Sequence, residues 1–205
     1  MDHYFSDSTA VDAARTQHEV TVAGRTWQVV GAAGVFSTGR LDPGTAVLLA
    51  HVPPPPATGY LADLGCGWGP LTLTLAAASP AAQVVAADIN PLAQALTREN
   101  AARAGLPNVE VLGADAPARL RQRGIELAGL WSNPPIRIGK QALHQLLQAW
   151  LPLLAPHAPA HLVVSKNLGA DSLARWLTDN GFPTIRLASA KGFRVLETRR
   201  AADCE

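Results

Sequence analysis

A doubly wound α/β domain on a seven-stranded, mostly parallel sheet is what the sequence predicts, and three observations predict it. After residue 56, short apolar β-type runs alternate with helix-forming segments, the pattern of a parallel sheet with helices on both faces. The first such run enters Asp63-Leu64-Gly65-Cys66-Gly67-Trp68-Gly69-Pro70, where three glycines stand at every second position before a good helix former. The last two β-type runs, 184–188 and 193–198, are joined only by Ser189-Ala190-Lys191-Gly192. That link is too short for a parallel crossover, so the sheet ends in an antiparallel strand.

The elements follow in order. Residues 1–17 are polar and small, without a period. Residues 18–30 alternate on both sides of Ala23-Gly24 and read as a hairpin. Residues 31–40 are too rich in glycine for regular structure. Asp42 then caps a helix that begins at Pro43 and runs to about His51. Pro53-Pro54-Pro55-Pro56 is a stiff polyproline link. It divides an N-terminal extension, residues 1–52, from a domain over 57–200. Strands are predicted at 60–64, 83–88, 109–112, 127–132 and 161–165, ahead of the terminal pair. Helices are predicted from 71, over 91–104, from 139 to about 154, and over 170–180.

Composition bounds the function. The chain has 205 residues, 48% of them hydrophobic, enough for one domain with a sizeable core. It has no apolar run of transmembrane length and no cationic or apolar leader at its start, so a cytoplasmic protein is expected. Cys66 and Cys204 do not suggest a disulfide framework, and no Cys/His spacing reads as a metal site. A net charge of +1 argues against a generally basic nucleic-acid surface. Two local clusters remain: Arg119, Arg121 and Arg123 in one loop, and Lys191, Arg194, Arg199 and Arg200 near the end. Each is either a solvated face or a phosphate contact.

The glycine turn lets bare backbone approach a ligand, and the helix behind it presents unpaired N–H groups. Its spacing is G-x-G-x-G with an acid two positions ahead, whereas dinucleotide sites read G-x-G-x-x-G. A pyrophosphate tolerates no carboxylate there; a cationic ligand without phosphate does. Asp88, at the end of the second sheet strand, can accept both hydroxyls of a ribose, or it can cap the next helix, a role Asn90 can also fill. Asp115, after the third strand, can accept an adenine amino group while the Ala116 backbone N–H serves a ring nitrogen. Asp63, Asp88 and Asp115 therefore make a nucleoside site with a negative rim, suited to a sulfonium. After the fourth strand comes Ser132-Asn133-Pro134-Pro135-Ile136. Two prolines remove two backbone donors and leave acceptors, the Asn133 side-chain oxygen and the Pro134 carbonyl, which suit a substrate NH₂. Lys166, after the fifth strand, lies at the same edge; it meets a substrate phosphate or is a solvated lysine.

These stretches carry a resemblance. Asp63 to Pro70 resembles motif I of the class I S-adenosylmethionine (SAM) methyltransferases, which have a Rossmann-like fold. Asn133-Pro134-Pro135 resembles the N-P-P-[YFW] motif of amino-group methyltransferases, with Ile136 where that family has an aromatic ring. The family's ring stacks on the target base, so Phe36, Trp131 and Phe193 are the candidates to replace it. Gly34-Val35-Phe36-Ser37, Leu41-Asp42-Pro43-Gly44-Thr45 and Lys191-Gly192-Phe193-Arg194-Val195-Leu196 extend the resemblance to the catalytic half of the small-subunit ribosomal RNA guanine-N2 methyltransferases of the RsmC type.

That resemblance implies SAM as cofactor, bound by Phe36, Asp63, Gly65, Cys66, Gly67, Gly69, Asp88, Asp115, Ala116 and Asn133. The loop 34–37 would close over it. The resemblance also implies chemistry at Asn133, Pro134, Pro135 and Ile136 on an exocyclic amino group of a base in structured RNA, guanine N2 of ribosomal RNA being the leading target. The implied partner is ribosomal RNA or a ribosomal subunit, with no membrane and no metal. The oligomeric state is open, with a monomer expected. The alternatives are a protein-glutamine or small-molecule amine N-methyltransferase, a drug-resistance version of the RNA enzyme, and a catalytically idle RNA-binding or assembly protein that keeps the fold.

Overall fold

The computed structural model of the protein describes residues 14–37, 39–135 and 138–201. The N-terminal hairpin pairs β1 (Arg15–Val22) with β2 (Arg25–Ala32) in a separate two-stranded sheet. Its two-residue turn, Ala23 and Gly24, has φ of 48° and 78°, the positive values that match strand twist. The main sheet has seven strands in the order β5-β4-β3-β6-β7-β9-β8. These are β3 (Thr58–Leu64), β4 (Ala81–Ala87), β5 (Val109–Leu112), β6 (Leu127–Ser132), β7 (Pro159–Ser165), β8 (Thr184–Ala190) and β9 (Phe193–Arg199). β3 through β7 pair in parallel, while β9 is antiparallel to both β7 and β8. The reversing strand thus lies inside the sheet, and β8 forms its edge.

The strands alternate between two buried faces, as a sheet covered on both sides must. Leu61, Val163 and Val195 pack with α1 (Pro43–His51) and α2 (Pro70–Ala78). Ala62, Leu162 and Leu196 pack with α4 (Ala116–Gln122), α5 (Lys140–Trp150) and α6 (Ala170–Asp179). α3 (Pro91–Arg103) joins α2 and the hairpin through Val20, Val22, Trp27, Trp68, Leu92 and Leu96. A buried side-chain amide completes that seam. Asn100 accepts from Val30 N at 2.7 Å and donates to Val30 O at 3.0 Å and to Trp68 O at 2.8 Å. So the segment before the prolines covers the sheet and its helices directly, and Pro53 to Pro56 wall a small cavity of about 190 Å³ with Trp131 and His161.

Several boundaries differ from the sequence reading. α4 occupies residues expected to form an arginine-rich loop. α5 ends at Trp150 and a 3-10 turn, Leu151–Leu153, follows, because Pro152 has no amide hydrogen to continue the helix. β4 and β7 each start two residues before the apolar run, because β4 pairs Thr58 with Ala81 and β7 pairs Pro159 with Arg199. The strand order reverses between β3 and β6, and in such sheets the ligand crevice lies outside the carboxyl ends at that switch.

Candidate active site

The loop after β3 is shaped by Gly65, Gly67 and Gly69, whose φ angles are 80°, 58° and 99°. Only glycine adopts that left-handed region without steric cost. A Cβ on Gly65 would stand 3.7 Å from Pro135 Cδ and 3.8 Å from the Asn133 carbonyl oxygen. The glycine loop therefore abuts the loop after β6. Gly65 N and Cys66 N both donate to Ala87 O, at 2.8 and 3.1 Å, and Gly69 N donates to Cys66 O at 2.8 Å. The Cys66 sulfur accepts from Thr97 Oγ1 at 3.3 Å, and burial pushes its thiol well above the usual range. Cys66, expected beside the cofactor, thus has its N–H bonded to β4, its carbonyl to Gly69 and its sulfur to α3.

The three acids differ in their settings. Asp63 is fully buried; its Oδ2 accepts from Thr72 Oγ1 at 2.6 Å, and its Oδ1 has no hydrogen-bond partner among the described residues. Burial raises its carboxyl to about 7, against the lowering effect of the Thr72 bonds, and the nearby Asp88 charge adds to the rise. No atom of Asp63 reaches the surface. Asp88 is half-buried: its Oδ2 accepts from Gly67 N at 3.0 Å and its Oδ1 from Asn90 N at 2.9 Å. Asn90 itself caps α3 by accepting from Leu92 N at 2.9 Å, which leaves Asp88 free of that duty. Asp115 is exposed at the start of α4 and makes no capping bond. The Ala116 amide donates to Gly113 O at 3.1 Å, so the N–H expected to meet an adenine nitrogen already closes a turn.

Two residues at this edge escaped the sequence reading. Ile89, directly after Asp88, is 73% exposed and offers an apolar platform beside the carboxylate. The only sequence signal was an isoleucine placed in a polar strand-to-helix turn. Thr72, in the first turn of α2, holds Asp63; nothing in its own type pointed to that. The loop 34–37 is tied down from both sides. Asn90 Nδ2 donates to Gly34 O and Trp68 Nε1 donates to Ser37 O, each at 3.2 Å. Phe36 stands between these ties, 68% exposed.

On the other side of the glycine loop, Ser132 Oγ donates to Leu64 O at 2.6 Å and links the ends of β6 and β3. Asn133 Nδ2 donates to Asp42 Oδ1 at 2.7 Å and to Thr45 Oγ1 at 3.0 Å. Pro134 is buried and Pro135 exposed. Ile136 lies outside the described residues. Of the three rings considered in its place, Trp131 is corrected: it is buried in the core under α1 and cannot face a base. Phe193 is half-buried against that core, and a Cβ on Gly44 would come within 3.0 Å of its ring.

The cation clusters are also revised. Arg119 and Arg121 lie on α4, not in a loop; Arg121 donates to Ala149 O at 2.7 Å, and Arg123 Nη1 donates to both carboxylate oxygens of Glu110 at 2.8 and 2.9 Å. Arg194 is ion-paired with Asp171, and Arg199 is held by Glu197 and His157 O. Lys191 is exposed in the β8–β9 turn, and Lys166 N donates to Gly192 O at 2.8 Å, which brings both lysines to the carboxyl end of β7. Among the described residues no group of three or more His, Cys, Asp or Glu could hold a metal ion, and no helix is long and apolar enough to cross a membrane.

Known proteins share this fold. The family model described as the methyltransferase small domain matches residues 26–197. The chain is 26% identical to YbxB of Bacillus subtilis (strain 168), covering 97% of this chain and 98% of that one. It is 35% identical to ribosomal RNA small subunit methyltransferase C of Pseudomonas aeruginosa (strain LESB58), covering 92% of this chain and 56% of that one. Among solved structures, the T. thermophilus 16S rRNA N2 G1207 methyltransferase (RsmC) in complex with AdoMet and guanosine superimposes with a TM-score of 0.79 at 22% identity. That likeness in fold covers 91% of this chain and 50% of the other. The chain thus spans about half the length of these ribosomal RNA methyltransferases.

Proposed function

The chain belongs to the methyltransferase small domain family, and from that premise we propose that it transfers a methyl group from SAM to an exocyclic amino group of a nucleobase in structured RNA, specifically guanine N2 of ribosomal RNA. The observation that carries the reading is the contact between two loops. Gly65, in the turn that would hold the cofactor, lies bare against Asn133 and Pro135, in the turn that would hold the acceptor amine. A Cβ there would fill the space between them.

The residues fit SAM. Asp63 keeps a buried, unpartnered carboxylate oxygen behind the glycine loop, Asp88 stands at the end of β4, and Asp115 follows β5. Asp88 and Asp115 give this edge its negative charge for a cationic nucleoside, to which Asp63, its carboxyl raised to about 7, adds only when ionised, and Asp88 retains lone pairs for ribose hydroxyls beside its two amide bonds. Ile89 and Asp115 would take the face and the amino edge of the adenine. Bound there, SAM supplies an electrophilic methyl carbon. Asn133 Oδ1 and the Pro134 carbonyl accept the two hydrogens of the substrate NH₂ and direct its lone pair at that carbon. No strong base is needed, because the proton leaves after the bond has formed. A base in a duplex would have to be flipped or already unpaired to enter. Lys166 and Lys191, at the same edge, would meet the RNA backbone.

The test is transfer of tritiated methyl to small ribosomal subunits, naked ribosomal RNA and protein fractions, followed by nucleoside mass spectrometry. The expected result is label in N2-methylguanosine. Label in a protein amide would replace the RNA reading with the glutamine one. SAM binding without transfer to any fraction would make the chain an idle relative.

A further inference from the structure

We propose that Asp42 is a positioning residue for the transfer reaction: with Thr45 it locks the Asn133 side chain in the one rotamer that presents an acceptor to the substrate. For the reaction itself this rests on the preceding reading. The geometry is specific. Both hydrogens of Asn133 Nδ2 are taken, one by Asp42 Oδ1 at 2.7 Å and one by Thr45 Oγ1 at 3.0 Å. The same Asp42 oxygen accepts from Thr45 N at 3.0 Å, which makes it the N-cap of α1. A carboxylate only accepts. An Asn133 amide turned by 180° would set its oxygen against that carboxylate and leave its NH₂ facing the site. Asp42 therefore decides which end of the amide the substrate meets.

Two consequences follow. With both N–H groups held back, Asn133 offers only its oxygen, and the site selects an amino group over a carbonyl at the reacting position. The bond to a carboxylate also polarises the amide and makes that oxygen a stronger acceptor as positive charge grows on the substrate nitrogen. The backbone is shaped to permit this: a Cβ on Gly44 would fall 2.9 Å from Asp42 Oδ1 and 3.0 Å from the Phe193 ring. Any larger residue there would displace the carboxylate from Asn133.

Asp42→Ser and Asp42→Asn separate this role from simple capping, since Ser, Asn and Asp all cap helices well. The serine oxygen is one bond closer to the backbone and cannot reach Asn133, whereas an asparagine oxygen can accept from both partners. Methyl transfer is measured with small ribosomal subunits and tritiated SAM. Asp42→Ser should lower kcat on the order of 10-fold or more with KM and thermal midpoint little changed, and Asp42→Asn should recover most of that loss. In an Asn133→Ala background, Asp42→Ser should change kcat less than about twofold, because its target is gone. Full activity of Asp42→Ser, or an undiminished loss in the Asn133→Ala background, would overturn the proposal. An activity-free readout stands beside it. The Asn133 side-chain NH₂ resonances should exchange slowly with water in the native protein and move to free-amide positions in Asp42→Ser. Unchanged resonances would overturn the positioning role. If instead Asn133→Ala itself keeps full kcat, the chemistry of the preceding section fails, and these resonances still decide the Asp42 contact.

Discussion

The two halves of the site are built at different range. In the half over β3 to β5, the two strand-end acids Asp63 and Asp88 are held by nearer neighbours in the chain. Asp63 is bound by Thr72, nine residues on, and Asp88 by Gly67 and Asn90, at separations of 21 and 2. In the half over β6, Asn133 is held by Asp42 and Thr45, 91 and 88 residues away. The near half is a strand–turn–helix unit repeated along the sheet edge, and its geometry follows from local glycine and capping chemistry. The far half exists only once α1 has docked on the sheet. The first suits a binding function that can form early and stay rigid. The second fixes Asn133 only in the completed fold, so on the proposed mechanism damage there should appear more in turnover than in cofactor affinity.

Single substitutions can pull the two halves apart. The largest effect belongs to Asn133→Ala. If the far half acts in the transition state, kcat should fall on the order of 100-fold or more, about 2.7–4 kcal/mol, as when an oxyanion-hole donor is removed. SAM affinity by calorimetry should fall far less than kcat; a matching loss of affinity would merge the two halves.

The next effect concerns the charge buried in the near half. The folded Asp63 carboxyl sits at about 7 against an ordinary 3.8, so the folded state keeps a proton that the unfolded state has lost. Stability must therefore fall as pH rises from about 4 to about 7, and between pH 5 and pH 8 the cost should grow by about 2–3 kcal/mol. Asp63→Asn removes that slope. Thermal melts without cofactor should show the variant gaining on the native protein from pH 5 to pH 8, by about 2–4 °C per kcal/mol. Parallel curves would mean that Asp63 is not held protonated.

Asp88→Ala is the converse of Asn133→Ala. It should weaken SAM binding by about 1.5–3 kcal/mol and leave kcat at saturating SAM near native. The smallest effect is at the rim. Replacing Lys166 and Lys191 with glutamine should flatten the logarithmic salt dependence of RNA binding by about 0.7–0.9 for each phosphate no longer neutralised. The same change at Arg121 and Arg123, which bind Ala149 O and Glu110, should leave the slope alone.

Much of this was legible in the chain. The glycine spacing, the acids ending successive strands, and the short link before Phe193 are local features, and they carried the sheet class and the turn after β3. Asn90 as the cap of α3 could be named, though not that it would relieve Asp88 of the task. The elements, their order, and the polar groups that end the strands are written in the chain, because period, propensity and turn chemistry act over a few residues. How far-apart groups meet was settled by packing alone. It buried Trp131 under α1, tied Arg123 to Glu110, docked the hairpin through Asn100, and brought the Asp42 cap onto Asn133. Asp42 reads in the chain as a helix cap, which it is. Its free bonding capacity has no local partner, and a hydrogen bond across 91 residues forms only when packing of α1 against the sheet brings the two ends together.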